Sequence, residues 1–422
     1  MSQDKFRMYF QFLLVVLAAG SIYPLIYLKS NYQETILQVF NMSNAQLNSM
    51  YTVLGWVFVF GYIPSGILSD RFSAKKLLAM SLFFTGLGGL WFAQIPSYSF
   101  VVYIFAIWGF FSVFTFWSAH MKIVKLLASE KEQGTFFGVL DGGRGVVEAL
   151  LASLALFIFS GILGDSLNLV DKREALVAVI YMYSAVLLLT SVLIWFFVQD
   201  DKKVLANDAS KRDAVKSEKF SFKDLKVIFK NKTIYLHGGI IFMGYAVFWT
   251  VYYLGWFLET YVGVDPVSVA STMVIVLWMR PVGGFLGGFL ADKIGKANVQ
   301  MGSLTGAAAC LLAISFLPAA GNGALFSGLI VLLGVFLYMI RGTYWSLLGD
   351  YKIEAAVLGT AIGAISFVGY LPDIILPEFN SFLWRTFGDM GGFNAYFISS
   401  AVLGLIGVVL AFVFGRMTKK GK

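Results

Sequence analysis

The sequence holds one cysteine, Cys310, two histidines and eight prolines among 422 residues, and only 13% of it is charged. A lone cysteine cannot close an intramolecular disulfide, and it supplies no cysteine cluster for zinc. So little proline excludes collagen-like and proline-rich disordered chains. Charge at about half the level of ordinary soluble domains excludes a soluble enzyme. Chemistry-bearing motifs are missing too: the chain has no Walker-type phosphate loop, no metal-ligand cluster and no nucleophile–base arrangement. An ATP-driven pump and a hydrolytic membrane enzyme therefore have no residues to carry them, and no cofactor and no metal are expected.

What the chain has is apolar length. Apolar residues make up 58% of it, and its mean hydropathy is +0.77. A helix needs about 20 apolar residues to cross a bilayer. Twelve stretches qualify: 8–28, 46–68, 76–95, 98–121, 134–162, 174–198, 233–259, 267–290, 298–318, 324–348, 355–377 and 393–415. The segment 199–232 is rich in Lys, Asp and Ser and has no such run. The expected fold is thus an all-α polytopic membrane protein in two six-helix bundles, 1–198 and 233–422, joined by the linker 199–232.

Net charge is +8, with 32 Lys and Arg. With the N-terminus inside, 25 of these fall on the inner side, 4 on the outer side (Lys29, Lys172, Arg173, Arg385) and 3 within spans. That asymmetry places both termini and the linker in the cytoplasm, and the expected location is a bacterial inner membrane. The basic excess is therefore a topology signal, and no nucleic-acid partner is needed to explain it.

The two halves resemble each other. Gly66-Ile-Leu68-Ser-Asp70-Arg71-Phe-Ser-Ala-Lys75-Lys76 follows span 2, and Gly288-Phe-Leu290-Ala-Asp292-Lys293-Ile-Gly295-Lys296 follows span 8, at an offset of 222. Trp117-Ser118 matches Trp345-Ser346 at 228, and Gly134-Thr135-Phe-Phe-Gly138 matches Gly359-Thr360-Ala-Ile-Gly363 at 225. Duplicated bundles of this kind mark secondary transporters, whose substrate site lies near the bilayer midplane. Asp70 and Asp292 suit gating, since a loop carboxylate can bond free N–H groups at a helix N-terminus. Arg71 and Lys293 beside them can pair with acidic loops in one conformation only, or can simply enforce topology.

The loop G-x-L-x-D-R/K-x-G-x-K/R, present twice, resembles the signature of the major facilitator superfamily, and the resemblance covers the whole chain. It implies two six-helix bundles rocking about a central cavity. Spans 1, 4, 7 and 10 would line that cavity, spans 2, 5, 8 and 11 would flank it, and spans 3, 6, 9 and 12 would face lipid. The first copy has Ser73 where the family has Gly, which predicts an altered turn there.

Six ionisable residues lie well within spans: Asp141, Arg144 and Glu148 in span 5, Arg280 in span 8, Arg341 in span 10 and Asp373 in span 11. Such residues are costly in a bilayer and usually functional. Asp141, Arg144 and Glu148 share one helix face, either as an internal ion-pair ladder or as a site with Arg144 as substrate ligand and the acids as proton couplers. Arg280 has no acid within four residues and precedes Pro281. A guanidinium so placed suits a carboxylate, phosphate or nitrate, or else pairs with an acid on another helix. The stretch from Arg280 to Asp292 resembles nitrate/nitrite porters, but Phe58 stands where those carry a second Arg. Organic-anion branches of the family use an Arg in span 1 and another in span 7. Here span 1 has no charge, and span 7 has only His237. Arg341 either lines the inner cavity or pairs with Asp373 or Glu148. Asp373 is a proton coupler, an outer gate or a helix cap. Tyr23, Trp117, Trp249 and Tyr344 are aromatic candidates for stacking on a substrate, and Tyr245, Trp249 and Tyr252 share a helix face.

The function expected is proton-coupled uptake of a small organic anion by alternating access, with sodium as the other coupling ion. Efflux of an amphipathic drug or metabolite is the alternative of the same class. An uncoupled facilitator or a substrate-sensing receptor is the alternative of another. The partners expected are the substrate, the coupling ion and the lipid bilayer, with the protein a monomer.

Overall fold

A computed structural model describes residues 3–127, 133–164, 166, 168–200, 232–318, 322–350 and 358–420. The linker 199–232 lies almost wholly outside them. Among the described residues every element is helical, and the chain divides into two compact units, Met1–Asp213 and Ala214–Lys422.

Unit 1 contains α1 (Gln3–Ile26), α2 (Lys29–Val39), α3 (Asn44–Arg71), α4 (Ala74–Phe92), α5 (Tyr98–Gly109), α6 (Trp117–Leu127), α7 (Gln133–Leu163) and α8 (Leu169–Phe197). A π-helical turn, Phe110–Thr115, joins α5 to α6. Unit 2 contains α9 (Lys232–Phe248), α10 (Val251–Phe257), α11 (Pro266–Ile294), α12 (Lys296–Phe316), α13 (Gly323–Thr343), α14 (Leu358–Gly369) and α15 (Pro372–Lys420). A second π turn, Leu258–Val262, follows α10, and a 3-10 turn, Tyr344–Asp350, follows α13. Gly388 breaks α15 with φ 71° and ψ −179°.

Local chemistry sets the helix ends. Ser43 caps α3 in a reciprocal capping box with Gln46. Asn168 caps α8 by accepting from the Asp171 N–H. Asp265 accepts from the Ser268 N–H, with Pro266 at the first helical position of α11. Partial burial works against ionisation of Asp265, but hydrogen bonds from Ser268 hold its carboxyl below the usual range.

The internal repeat is a repeat of packing. In unit 1, α1 packs on α7, α3 on α5 and α4 on α8. In unit 2, α9 packs on α14, α11 on α13 and α12 on α15. These are the same three pairings, first span on fifth, second on fourth and third on sixth. Glycines set two of the close approaches. A Cβ on Gly20 of α1 would lie 2.5 Å from Val147 Cβ and 2.9 Å from the Arg144 carbonyl of α7. One on Gly283 of α11 would lie 2.7 Å from the Val335 carbonyl of α13. Gly283 and Gly287 are thus helix-contact glycines, as expected of small-xxx-small pairs. The side chains around Gly134/Gly138 and Gly359/Gly363 lie largely outside the described residues.

Among the described residues, nine segments are long and apolar enough to cross a membrane. The last, Ala364–Thr418, contains both helices that meet at Gly388. Helices α3 and α4, expected as spans 2 and 3, are outside the nine; α4 carries Lys75 and Lys76 in its first turn. Large apolar side chains face outward along the helices, including Phe196 (73%) on α8, Phe316 (75%) on α12 and Val409 (59%) on α15. A continuous apolar exterior of this kind suits lipid.

Span 1 departs from expectation. Its apolar run ends at Leu28, but the membrane-length segment is Lys5–Val39, continuing through α2. Lys29 therefore sits inside the protein at 0% exposure, 4.1 Å over the Tyr51 ring. Lys172, also counted among the charges on the outer side of the membrane, is 7% exposed and donates to Gln38 Oε1 at 3.0 Å.

The altered turn at Ser73 is present. In the second copy one residue, Gly295 (φ 91°, ψ 143°), links α11 to α12. In the first, Phe72 and Ser73 are both extended, with φ −108° and −65°. A side chain at Gly295 meets nothing closer than 4.0 Å, so any penalty there is purely conformational. We expect Gly295→Ala to cost about 1–3 kcal/mol. Ser73→Ala, at an ordinary φ, should cost well under that; thermal unfolding of the purified protein compares the two.

Candidate functional site

Each unit builds one cluster from an arginine, an acid and a tyrosine, and the clusters compensate their charges differently.

In unit 1 the close approach at Gly20 brings Tyr23, one turn further along α1, onto α7. The Arg144 guanidinium lies 4.9 Å over the Tyr23 ring, and Arg144 Nε donates to Glu148 Oε1 at 2.9 Å. The two charged side chains are 15% and 13% exposed, so the pair is sheltered though not sealed. The Tyr23 hydroxyl donates to the Ser112 carbonyl at 3.1 Å. Ser112 lies in the π turn, where wider spacing of the ladder makes carbonyls available to outside donors. Tyr23 is thereby fixed from both ends. Phe58 stands edge-on to it at 6.4 Å. Of the span 5 triad, Arg144 and Glu148 pair along one face as their spacing predicts; the Asp141 side chain lies outside the described residues.

In unit 2 the acid is Asp373, at the start of α15 and 4% exposed. Its Oδ1 accepts from the Tyr245 hydroxyl at 2.8 Å and from Trp249 Nε1 at 2.9 Å. Both donors come from span 7, and their four-residue spacing puts them on one face. Tyr252 packs edge-on to Trp249 at 5.1 Å. The Arg341 guanidinium lies 4.6 Å over Phe248 and 6.0 Å from the Tyr245 ring centre. Tyr245 also meets Tyr370 edge-on at 4.9 Å, and the Tyr370 hydroxyl accepts from Trp345 Nε1 at 3.1 Å. Arg341 and Asp373 thus attach to the same tyrosine, yet among the described residues no ion pair within 4.0 Å joins them. The carboxyl of Asp373 is held by neutral donors and the guanidinium by aromatic faces.

The other expected residues fall elsewhere. Arg280 is half-buried on α11 beside Pro281. Trp117 stands edge-on to Tyr62 at 5.7 Å and to His120 at 5.5 Å. Tyr344 is 1% exposed, at the start of the 3-10 turn that follows α13, and its carbonyl bonds His237 Nε2 at 2.8 Å. His120 bonds the Phe116 carbonyl at 3.2 Å. Both histidines are buried and satisfied by backbone. Of the gating group, the side chains of Asp70 and Arg71 lie outside the described residues. Asp292 is exposed, and Lys293 lies 4.3 Å over Phe289. The loop ion pair in unit 2 is instead Lys296 to Asp350 at 3.1 Å. It ties the start of α12 to the end of the 3-10 turn.

Several contributors lacked a sequence signal. Phe248 and Tyr370 belong to an aromatic-rich background of 41 Phe and 20 Tyr, which hides any one of them. Lys29 follows an apolar run directly and so reads as a flanking charge. Only the fold of α2 shows that it is buried.

The family model described as Major Facilitator Superfamily matches residues 8–377. The inner membrane protein YqcE of Escherichia coli (strain K12) is 27% identical over 99% of this chain and 97% of its own. The inner membrane protein YihN of the same organism is 24% identical over 97% and 96%. Among solved structures, a bacterial homolog of the human lysosomal transporter Spinster superposes with a TM-score of 0.72 at 14% identity, covering 100% of this chain and 99% of that one. The D-xylose–proton symporter superposes with a TM-score of 0.70 at 18% identity, covering 96% and 97%.

Arg144 and Glu148 should behave as a coupled pair. Arg144→Gln alone should destabilise the protein, because it leaves a sheltered carboxylate without its cation. Adding Glu148→Gln should recover part of the loss. The double-mutant cycle in thermal unfolding should give a coupling of about 1–3 kcal/mol.

Proposed function

The chain belongs to the Major Facilitator Superfamily, and from that premise we propose that it is a secondary active transporter of a small organic anion, driven by protons in the uptake direction. A membrane transporter, and not an enzyme, is what the family and the shared fold establish. The anion, the proton and the direction are our reading, as are the monomeric state, the cytoplasmic termini and the inner-membrane location, which the two Escherichia coli relatives support by their names.

The observation that carries the reading is the setting of Asp373. Glu148, the acid matched to it at the repeat offset of 225, is engaged by Arg144 one turn away. Protonating an acid so paired would leave its cation uncompensated. Asp373 has two neutral donors on one oxygen and the Arg341 charge held off on aromatic rings. It can take up a proton without breaking an ion pair. Once it is protonated, Arg341 carries net positive charge in its cluster, and an anion becomes the complementary ligand. That linkage makes binding of the proton and the anion mutually favourable, which is the requirement for symport. Arg144 and Arg280 are the further anion ligands we assign. The Nε of Arg144 is committed to Glu148, but a guanidinium keeps other donors for a carboxylate or phosphate. Tyr23 and Trp249 complete the binding set, with Asp141 and Glu148 in support of the charge balance.

Two experiments test this. Purified protein is screened by thermal unfolding against carboxylates, phosphorylated metabolites, nitrate, neutral sugars and lipophilic cations. A true ligand at a hundredfold excess over its Kd stabilises by about 2.7 kcal/mol. We expect an anion to stabilise wild type and to lose that effect in Arg341→Ala and Arg280→Ala. Equal stabilisation of all three by neutral or cationic amphipaths would instead assign the protein to efflux. In proteoliposomes loaded with the anion so found, Asp373→Asn should lose accumulation driven by a pH gradient and keep downhill exchange. Retained pH-driven accumulation in that variant would remove Asp373 from coupling.

A further inference from the structure

Two turns beyond Asp373 on α15 lies a polar group that the transport reading does not use. Asn380 is 0% exposed, and neither its Oδ1 nor its Nδ2 has a hydrogen-bond partner among the described residues. The same holds for the hydroxyls of Tyr396 and Ser400, which are 0% and 1% exposed. These groups stand together: Asn380 interacts with the hydroxyls of Tyr253 and Tyr396, and Ser400 with that of Tyr396, but none of these contacts reaches good hydrogen-bond geometry at Asn380, Ser400 or the Tyr396 hydroxyl. The ring of Tyr396 packs edge-on against Tyr253 at 5.1 Å. The indole Nε1 of Trp384, one turn from Asn380, is also unpartnered.

A dry cluster of this kind would be costly, since each buried unpaired polar group destabilises by about 1–3 kcal/mol. The mix of donors and acceptors selects what can satisfy it. A sodium ion would serve the oxygens but leave Asn380 Nδ2 and Trp384 Nε1 unpaired. An anion would serve the donors but face the Asn380 carbonyl oxygen. Water donates and accepts, and buried water typically makes about three such bonds.

The cluster is aligned with the coupling acid. Positions 373 and 380 share a helix face, separated by ~10 Å of rise. Span 7 runs alongside in step: Trp249 bonds Asp373, and Tyr253, four residues on, stands beside Asn380. The stretch between offers polar backbone. Pro377 has no N–H, so the Asp373 carbonyl lacks its α-helical donor. Span 7 is itself broken at Trp249 and Thr250, between α9 and α10. About three hydrogen-bonded waters at ~2.8 Å spacing would cover the distance.

We propose that Asn380, Tyr396 and Ser400 hold internal water that conducts protons to Asp373. The proton that reaches the carboxylate is replaced by one entering at the far end of the chain, so only a proton moves. This rests on Asp373 as the coupling acid, and the tests separate the two. The groups facing Asp373 are Tyr245 and Trp249 from span 7, Arg341 from α13 and Tyr370 after α14; none of them is altered below.

Wetness is read without transport. In a Cys310→Ala background, Ser400→Cys is compared with Ala401→Cys, whose parent residue is fully buried and carries no polar side-chain group. On transfer to D2O the thiol at position 400 should exchange its S–H for S–D at least about tenfold faster, read from the infrared S–H stretch, because a wet thiol needs no local unfolding to exchange. Equal, slow exchange of both would overturn the proposal. Asn380→Leu supplies the second arm. Over a hydrated site it should not raise the unfolding temperature, and it should slow pH-driven accumulation several-fold while sparing downhill exchange. A raised unfolding temperature with unimpaired pH-driven accumulation would mean a dry, idle cluster and would also overturn the proposal. If Asp373→Asn abolishes coupling and Asn380→Leu does not, the relay fails and the coupling acid stands. If Asp373→Asn keeps coupling, the acid itself was misassigned.

Discussion

A charge inside a lipid-facing bundle must be compensated by the protein or by water the protein admits, because lipid offers it no partner. That constraint organises both units. Helices approach closely at Gly20 and Gly283, where a side chain would collide with the partner backbone. At the first of these, the approach sets Tyr23 over Arg144. Where a π turn or a helix break interrupts the ladder, the freed backbone meets a side chain, as the Ser112 carbonyl meets Tyr23. Irregular backbone in a membrane is tolerated where it is buried in protein and bonded in this way.

The two units share their helix pairings and differ in how the acid is held. In unit 1 the acid and the base sit one helical turn apart and neutralise each other. In unit 2 the base is on α13 and the acid on α15, and aromatic side chains from span 7 stand at both. Duplication kept the packing, and substitution within it altered the electrostatics. Protonating Asp373 would break no ion pair, whereas protonating Glu148 would break the one it makes with Arg144.

Lys29 shows the limit of a one-dimensional reading. Positive-inside counting treats each lysine as a flag on a loop, and most of the 32 basic residues behave so in the sequence pattern. Lys29 follows Leu28 directly and looks like the end of a span. Helix α2 then carries the chain onward, and the ammonium ends under Tyr51. The loop signature fares better, because its chemistry is local. Ser73 in place of glycine predicts a different turn, and the turn differs, with two extended residues where the other copy has a single left-handed glycine.

The sequence by itself determined the class of the protein, its membrane-spanning character, its duplicated plan and the shared helix face of Arg144 and Glu148. Each of these follows from composition or from short-range periodicity, which the chain carries wherever it folds. Tertiary structure alone decided that Tyr245 and Trp249 hold Asp373, that Arg341 stacks instead of pairing, that Lys29 is buried and that Asn380 is left unpartnered. Those facts depend on contacts between helices that no local spacing predicts, such as that of Tyr245 with Asp373, 128 positions away at 2.8 Å. In a chain so rich in interchangeable aromatic side chains, only the packing of helices fixes which of them meets a charge.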